Sequence, residues 1–528
     1  MKKIYTFLFS MVVLFSLGTV QAQERYVEEI FDEVRVQRDV PYGTNISIIT
    51  GQPAPEELLA DVYSPVGDNA TDRPVVLVAH TGSFGPAIIN GQTTGDRGDS
   101  TVVEICNRLA KRGFVAVAFT YRLGWIPESP DPDIRQGTLL QAAYRAIQDT
   151  RTCIRYMKKS VAEESNRFGI DPDKITVWGI GTGGYLAVGA ATLDDYEEVI
   201  LDKFLDQNNN PLADTVLLGN FYGTTMAPLC LPNHPGYSSD FQLSINMGGA
   251  MGDISWLDGD GEEPPIIGVH CPSDFFAPYY IGNVVVPTTN ELVIEAAAGT
   301  RAFVGMANDL GLNDMFSSLN DNNDPLRARI QNQKQGQFMT PGGNIALGAD
   351  NMYAFLRPPT GGPFGEGSPW DWWDDNVVRA KAQFISTVLG IPVDADAILA
   401  SSYATNPDMS AEKARRYIDT IFQLVTPRMC IAMDLGCNLG TSVRDLSTQQ
   451  VGLKVGPVPA RDFIDVSTTR EYPMQSIMIY DLNGRLVQGH TDIENDFFTV
   501  DPRALTPGQY IMQIRFEKGF TTTKISIQ

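Results

Sequence analysis

The sequence predicts an α/β fold with a predominantly parallel sheet flanked by helices, followed by a small all-β sandwich module at the carboxyl terminus. Two observations predict this class. Between Arg73 and Tyr121 a buried strand, an amphipathic helix and a second buried strand follow one another, the order that builds parallel sheets. After Val455 the chain alternates between apolar and polar residues in short runs, which is typical of antiparallel strands.

Each element of the α/β region has its own signal. The run "RPVVLVAH" is β-branched and apolar, "VVEICNRLAKRGF" is amphipathic and ends at Gly113, and "FVAVAFTYRLGW" is a second buried run. A long amphipathic helix is predicted from Gln136 to Lys159. The strand "ITVW", a helix after a glycine turn, and the strands "FQLSINMGGA" and "PPIIGVH" complete the alternation.

The amino terminus predicts export. Lys2-Lys3 precede an apolar run from Ile4 to Leu17 and the small-residue site Val20-Gln21-Ala22, which is the pattern of a signal peptide. The run is short for a membrane span, so a membrane anchor is the less favoured alternative. The predicted units are a signal peptide (1–22), the α/β domain (23–400), a helical extension and linker (401–450) and the sandwich module (451–528).

Composition excludes two classes of protein. A formal net charge of −23 argues against nucleic acid as a partner, and no segment after the first residues is apolar enough to predict a transmembrane protein. The six cysteines show no Cys-x-x-Cys spacing, so we predict no metal and no cofactor. The acidic stretches 258–263 and 320–324 offer oxygen ligands, but neither fits an EF-hand loop, and solvated turns are the favoured interpretation.

An exported chain can form disulfides. Cys430 and Cys437 are close enough in sequence to close a small loop and are the first predicted pair. Cys230 with Cys271 is the second prediction, and six buried thiols are the alternative.

Three motifs carry a resemblance to a known family. The strand before the first helix ends in His80-Thr81-Gly82-Ser83-Phe84-Gly85, the next strand ends in Thr120-Tyr121-Arg122-Leu123-Gly124, and "VWGIGTGG" closes the third. This order is similar to the α/β-hydrolase fold, and to its bacterial carboxylesterase-like members, from about residue 34 to residue 391. The helices of Cys106 and Cys153 would then lie on opposite faces of the sheet, so these two thiols should not pair.

The resemblance implies a nucleophile elbow at "VWGIGTGG". A hydrolase needs Gly-x-Ser-x-Gly there, because the nucleophile sits on a strained turn between closely packed backbones. Gly179 and Gly183 are the flanking glycines, which makes Gly181 a degenerate nucleophile position without an attacking atom. Reading Thr182 as the nucleophile shifts the frame by one residue and is the alternative. The oxyanion-type loop that the resemblance implies consists of His80, Thr81, Gly82, Ser83 and Thr182.

The sequence offers a candidate for the acid of a triad but none for its base at the expected position. "HCPSDFFAPYY" is similar to the family's acid loop, which implies Asp274 as the acid; a capping residue in a turn is the alternative. No histidine lies between Asp274 and the helix "NVVRAKAQFISTVLG", although the triad needs an imidazole there. Of the other histidines, His234 could reach the pocket only by an unusual route.

The expected histidine loop instead carries Trp370, Trp372 and Trp373. Such rings could stack on a sugar or an aromatic ligand. The favoured interpretation is that they fill the former pocket or pack under the loop.

The carboxyl-terminal module has a second resemblance. Pro457-Val458-Pro459, "IMIYDLNGRLV", "LTPGQYIMQI" and Lys524 are similar to the sorting domain of the type IX secretion system of Bacteroidetes-like bacteria. The resemblance implies that the secretion machinery recognises residues 451–528, with Asn483-Gly484 as a hairpin turn. It also implies a location in the medium or on the outer cell surface.

Together these features predict an exported, carboxylesterase-like protein that is inactive as a serine hydrolase, a pseudoenzyme that acts as a surface or secreted binding or structural protein. A surface polysaccharide or a protein is the expected kind of partner. The alternative is an active esterase or glycan-processing hydrolase that uses a non-standard nucleophile and is built on Asp274, Ser83, Thr182 or His234.

Overall fold

The computed structural model describes residues 24–85, 95–286, 289–357, 365–390, 392–439, 446–481, 485–491, 493–516 and 519–528. The predicted signal peptide and the predicted turn at Asn483-Gly484 lie outside the described residues.

The first part of the fold alternates strands and helices. Its elements are β1 (Val34–Ser47), β2 (Ala54–Pro65), β3 (Arg73–Ala79), α1 (Ser100–Lys111), β4 (Val115–Phe119), α2 (Pro132–Glu163), β5 (Ile170–Ile180), α3 (Thr182–Thr192), α4 (Thr215–Leu218), β6 (Leu243–Met247), β7 (Ala250–Met251) and β8 (Ile266–His270). Helix α2 begins earlier than predicted, because Asp131 caps the backbone N–H of Asp133 and a proline opens the first turn.

The second part adds short strands and the last helices. These are β9 (Ile281–Val285), β10 (Leu292–Gly299), α5 (Thr300–Asp309), α6 (Arg327–Gln335), β11 (Gln337–Thr340), β12 (Gly343–Ala346), β13 (Met352–Ala354), α7 (Asp375–Phe384), α8 (Ala395–Thr405) and α9 (Ala411–Ala432).

The large sheet has the order β1-β2-β4-β3-β5-β6-β8-β13. Strands β1 and β2 pair antiparallel with each other, and β2 pairs antiparallel with β4. The strands from β4 to β13 are mutually parallel. The predicted predominantly parallel sheet is therefore confirmed, and the carboxyl ends of β3, β5 and β8 meet along one edge, where ligands bind in such sheets.

Helices cover both faces of this sheet. Side chains of α2, α3 and α5 form one apolar cluster with one face, which includes Cys153. Side chains of α1 and α9 form a second cluster with the other face, which includes Cys106. The two thiols lie on opposite sides of the sheet, as predicted, and α9 packs on the sheet through residues such as Phe422, whose ring lies 5.4 Å from that of Trp178.

The last part is all β. Strands β14 (Lys454–Gly456), β15 (Ile464–Ser467) and β18 (Phe497–Val500) form one sheet, and β17 (Leu486–His490), β16 (Met474–Tyr480), β19 (Gly508–Phe516) and β20 (Gly519–Ile527) form the other. Their inward side chains share one apolar cluster that spans Leu446 to Ile527. The predicted small all-β module is confirmed.

The positions of the cysteines test the two predicted disulfides. Cys430 and Cys437 form a disulfide at the end of α9, as expected from their spacing. The predicted Cys230–Cys271 pair is wrong, because both are free and buried. Cys230 lies against Gly219, whereas Cys271 follows β8 and belongs to the cluster on the other face of the sheet.

Among the described residues, none of the helices has the length and apolar character required to cross a membrane.

Candidate functional site

The turn between β5 and α3 has the geometry of a nucleophile elbow. Gly181 sits at the apex with φ 52° and ψ −114°, a strained conformation that L-residues adopt only when the surroundings enforce it. A Cβ atom on Gly179 would lie 1.9 Å from the carbonyl oxygen of Gly183, and one on Gly183 would lie 2.2 Å from that of Ala79. The flanking glycines are therefore required by the close approach of strand and helix, which is the steric pattern of an elbow.

The hydroxyl of Thr81 occupies the space beside the apex. A Cβ atom on Gly181 would lie 2.2 Å from Thr81 Oγ1 and 2.9 Å from Thr81 Cβ, far inside van der Waals contact. A serine side chain at residue 181 and the threonine at residue 81 therefore compete for one volume. The sequence indicates an unusual residue here, since Thr81 stands where the similar family has a glycine. The contact of Thr81 with the end of β5 follows only from the fold.

The backbone N–H groups of the oxyanion-type loop already have acceptors. In this fold the oxyanion hole is made by the N–H of the residue after the nucleophile and by an N–H of the loop after β3. Here the Thr182 N–H donates to Thr81 Oγ1 at 3.4 Å, and the Ser83 N–H donates to Thr182 Oγ1 at 2.8 Å. Two side-chain hydroxyls thus take the place of a substrate oxyanion.

The predicted acid lies on the same edge of the sheet, in the loop after β8. Asp274 Oδ1 accepts from the backbone N–H groups of Phe276 at 2.8 Å and Ala277 at 3.3 Å. Its Oδ2 lies 3.4 Å from His270 Nε2. The carboxylate therefore caps its own turn and also lies beside His270, four residues earlier in the chain.

His270 is fully buried, and among the described residues only its Nδ1 has a hydrogen-bond partner. Nδ1 lies 2.7 Å from Thr300 Oγ1, and that hydroxyl accepts from Asn246 Nδ2 at 2.6 Å. Nε2 lies 3.4 Å from Asp274 Oδ2 without forming a hydrogen bond to it. Sequence reasoning placed His270 before the acid, but it did not anticipate this contact.

Glycine and tryptophan fill the region where the fold would hold its histidine. A Cβ atom on Gly367 would lie 2.6 Å from Asp274 Cγ, so the backbone of this loop packs directly on the carboxyl group. Trp370 is 1% exposed. A Cβ atom on Gly248 would lie 3.0 Å from Trp370 Cζ2 and 3.7 Å from Asp274 Oδ2, so Gly248 lies beside both side chains. The Trp370 ring is therefore part of the core beside the acid.

The other two tryptophans are also engaged in packing. Trp372 lies under the guanidinium of Arg415, 5.7 Å from the ring centroid. Trp373 packs on the small apolar cluster between α7 and α8. The three rings do not share one exposed face, so the geometry favours the packing interpretation over a common stacking platform.

Asp371, next to Trp370, is a buried carboxyl group. Thr101 Oγ1 donates to its Oδ1 at 2.8 Å and to the Trp370 carbonyl oxygen at 3.0 Å. Burial raises the pKa of Asp371 to about 6, and the neighbouring charge of Asp274 acts in the same direction. The loop is thus fixed to α1 by a carboxyl group whose charged form is disfavoured by burial.

The remaining histidines serve other purposes. The ring of His80 is buried and stacked 4.3 Å from that of Tyr121, and burial lowers its pKa to about 4, so it is neutral. His234 bonds the Tyr42 carbonyl oxygen at 2.7 Å, beside the edge strand β1 and remote from the β8 end of the sheet. His490 lies in β17 of the sandwich module.

Carboxylates that could share a cation lie elsewhere. Among the described residues two groups have oxygen atoms within 4.8 Å of one another, namely Asp194 with Asp260 and Glu262, and Asp258 with Asp260 and Glu263. Burial and the neighbouring carboxylates raise the pKa of Asp194 to about 6. Glu263 already accepts from the backbone N–H groups of Asp258 and Gly259, as in a self-capped acidic turn.

The parallel sheet with its elbow at the end of β5, a loop after β3 and an acid after β8 defines an α/β-hydrolase fold. In agreement, residues 60–226 match the BD-FAE family model, and this part of the chain is an esterase-like α/β-hydrolase domain. Residues 454–528 match the secretion system C-terminal sorting domain. The chain therefore carries the signal for type IX export across the outer membrane, to the cell surface or the medium.

Individual proteins are similar to parts of the chain. A non-reducing polyketide synthase from Stereocaulon alpinum is 28% identical over 144 residues, which are 27% of this chain and 5% of the synthase. Among solved structures, propionate-bound esterase 2 of Thermogutta terrifontis is 18% identical over 48% of this chain and 76% of its own, with a TM-score of 0.26. The α/β hydrolase MGS-M1 from a Medee basin deep-sea metagenome library is 15% identical over 47% and 73%, also with a TM-score of 0.26.

Proposed function

We propose that this chain is an exported pseudoenzyme, a protein on an esterase-like α/β-hydrolase scaffold that acts as a binding protein at the cell surface or in the medium. The observation that carries the proposal is the position of Thr81 Oγ1, 2.2 Å from where a nucleophile's Cβ would stand at Gly181. The site that would hold an attacking serine is filled by a different side chain.

Two further features support the loss of ester hydrolysis. The N–H groups of Thr182 and Ser83 are engaged by side-chain hydroxyls, so an oxyanion would have to displace them. The backbone of Gly367 packs against Asp274, where a triad would need an imidazole between acid and nucleophile.

Hydrolysis of short-chain nitrophenyl esters tests the proposal. We expect the purified chain to show the background rate, unchanged in Asp274→Ala. We also expect background hydrolysis from the double variant Thr81→Gly/Gly181→Ser, which restores room for a serine but supplies no base. Turnover by the wild-type chain that Asp274→Ala abolishes would contradict the proposal.

A second candidate function has one observation in its favour. The Thr81 hydroxyl lies at the elbow, on the same edge of the sheet as His270 and Asp274. A hydrolase with a non-standard nucleophile would need a hydroxyl and an acid on one edge in this way. Labelling with a fluorophosphonate separates the candidates. A label on Thr81 that disappears in Thr81→Val would favour the enzyme, whereas an unlabelled wild-type chain favours the binding protein.

A further inference from the structure

A cationic groove lies on this acidic protein, away from the elbow. It has a volume of about 450 Å³, within the range of small-ligand sites. The chain has a net charge of −23, yet four of the residues lining the groove are cationic and one is acidic. They are Arg329, Arg357, Lys413, Arg416 and Asp408.

Two of the cations are fixed by carboxylates and shape the groove. Lys413 is 3% exposed and contacts Glu366, Asp408 and Asn406. Arg357 Nε donates to Glu366 Oε2 at 2.5 Å. Since Glu366 is itself buried, this network holds the wall of the groove rigid and balances most of its own charge.

The other two cations are exposed and available to a ligand. Arg329 makes no ion pair with any residue that the structure describes; its guanidinium contacts the Tyr353 hydroxyl and lies 4.8 Å from the Tyr353 ring centroid. Arg416 lies 3.6 Å from Glu412, with both side chains more than two-thirds exposed, and such surface pairs are weak. Both guanidinium groups can therefore bind an anion in a bidentate manner.

Partly apolar surface lies between these charges, above the buried rings of Tyr353 and Phe355. The rings of Tyr353 and Tyr417 lie 5.0 Å and 5.1 Å from that of Phe355, and Leu356 is 63% exposed. A free inorganic anion would use the arginines alone. A ligand that carries anionic groups on a partly apolar backbone would use the arginines together with the exposed Leu356 side chain and the partly exposed Tyr417.

We propose that this groove binds a segment of an acidic polysaccharide, with Arg329 and Arg416 as the residues that contact its carboxylate or sulfate groups. Export to the cell surface or the medium places the groove where such polymers occur. None of the residues that line the groove belongs to the elbow or to the loop after β3, so the proposal does not depend on whether the elbow is catalytic.

Affinity electrophoresis and calorimetry of the purified chain test this proposal. The probes are polygalacturonate for carboxylate groups, heparin for sulfate groups, dextran as the neutral polymer, and a single-stranded DNA of matched charge. We expect retention by at least one acidic polysaccharide, no retention by dextran, and weakening as salt screens the charges. The polymer that binds more tightly identifies the preferred anion.

Substitutions assign the binding to the groove. We expect Arg329→Gln/Arg416→Gln to weaken binding at least tenfold, whereas Arg379→Gln, an exposed arginine of α7 outside the groove, leaves it unchanged. Equal melting temperatures show that the variants are folded. The proposal is overturned if neither acidic polymer binds, if the DNA binds equally well, or if the double variant binds like Arg379→Gln.

Discussion

At the scale of single residues, the elbow is distinguished by two facing positions, Gly181 and Thr81. The apex residue Gly181 has no side chain, while Thr81 in the facing loop carries one that reaches the same space. The backbone at the apex is strained, with φ 52°. The turn therefore has the backbone geometry of a nucleophile elbow, with the Thr81 side chain in the volume beside its apex.

This arrangement makes the substitution Gly181→Ser unfavourable for stability. We expect it to lower the melting temperature, because overpacking of this kind costs about 1–3 kcal/mol. Adding Thr81→Gly in the same chain should recover much of the loss. Gly261→Ser is the matched control, since Gly261 has φ 95° but no atom within 4 Å of a Cβ. If Gly181→Ser and Gly261→Ser lower the melting temperature equally, backbone strain alone explains the effect.

A second residue-scale prediction concerns pH. Burial raises the pKa of Asp371 to about 6, above its ordinary value of about 4. A carboxyl group with a raised folded-state pKa contributes stability at low pH, and this contribution is lost as the pH rises through about 6.

Asp371→Asn should therefore nearly match the wild type at pH 4 and gain on it as the pH rises through about 6, by about 3 kcal/mol at pH 8. The asparagine oxygen can still accept from Thr101. Denaturant unfolding at pH 4, 6 and 8 measures the difference, with the exposed Glu128→Gln as control. A difference that does not change with pH would mean that Asp371 titrates normally.

At the scale of elements, the motif after β4 fixes the sheet to α2. The side chains of Arg122 and Asp149 are fully buried, with Nη2 and Oδ1 2.8 Å apart. The Arg122 backbone N–H also donates to Asp149 Oδ2 at 2.9 Å. The Tyr-Arg-Leu-Gly segment thus has a structural role that does not depend on catalysis.

Removing one partner of this pair leaves a buried charge unpaired. We expect Asp149→Ala to lower the free energy of unfolding by about 3–5 kcal/mol, and Arg122→Met/Asp149→Leu to cost much less. Glu412→Gln, which removes the exposed pair with Arg416 at 3.6 Å, should change it by less than about 1 kcal/mol. A small effect of Asp149→Ala in urea unfolding would show that water reaches Arg122.

The elements themselves were the most predictable part of the molecule. The buried strand runs, the glycines of the elbow and the amphipathic pattern of α9 each depend on local sequence, and the structure contains all of them. The start of α2 was missed because a capping aspartate and a proline, rather than apolar periodicity, determine it.

The site was less predictable because its contacts join distant parts of the chain. Thr81 reaches Gly181 from the end of the neighbouring strand, Gly367 packs on Asp274, and His270 lies beside that acid. Sequence spacing identifies which residues lie on the edge of the sheet, but it does not give the direction of their side chains. The roles of the individual site residues therefore stay predictions.

At the scale of the whole molecule, an esterase-like domain and a type IX sorting domain are joined in one chain. Their apolar clusters are separate, the first two being built on the large sheet and the third within residues 446–527. Each unit thus has a core of its own, as expected when one part carries the function and the other the address. The exact boundaries of the units stay predictions.

The pairing of Thr81 with Gly181 also makes the effect of a substitution at one position depend on the residue at the other. A serine at residue 181 meets the Thr81 side chain as long as the threonine is present. A glycine at residue 81 removes that obstacle, but it also removes the hydroxyl that accepts from the Thr182 N–H. The two positions are therefore epistatic, because a serine at the elbow finds room only when residue 81 changes as well.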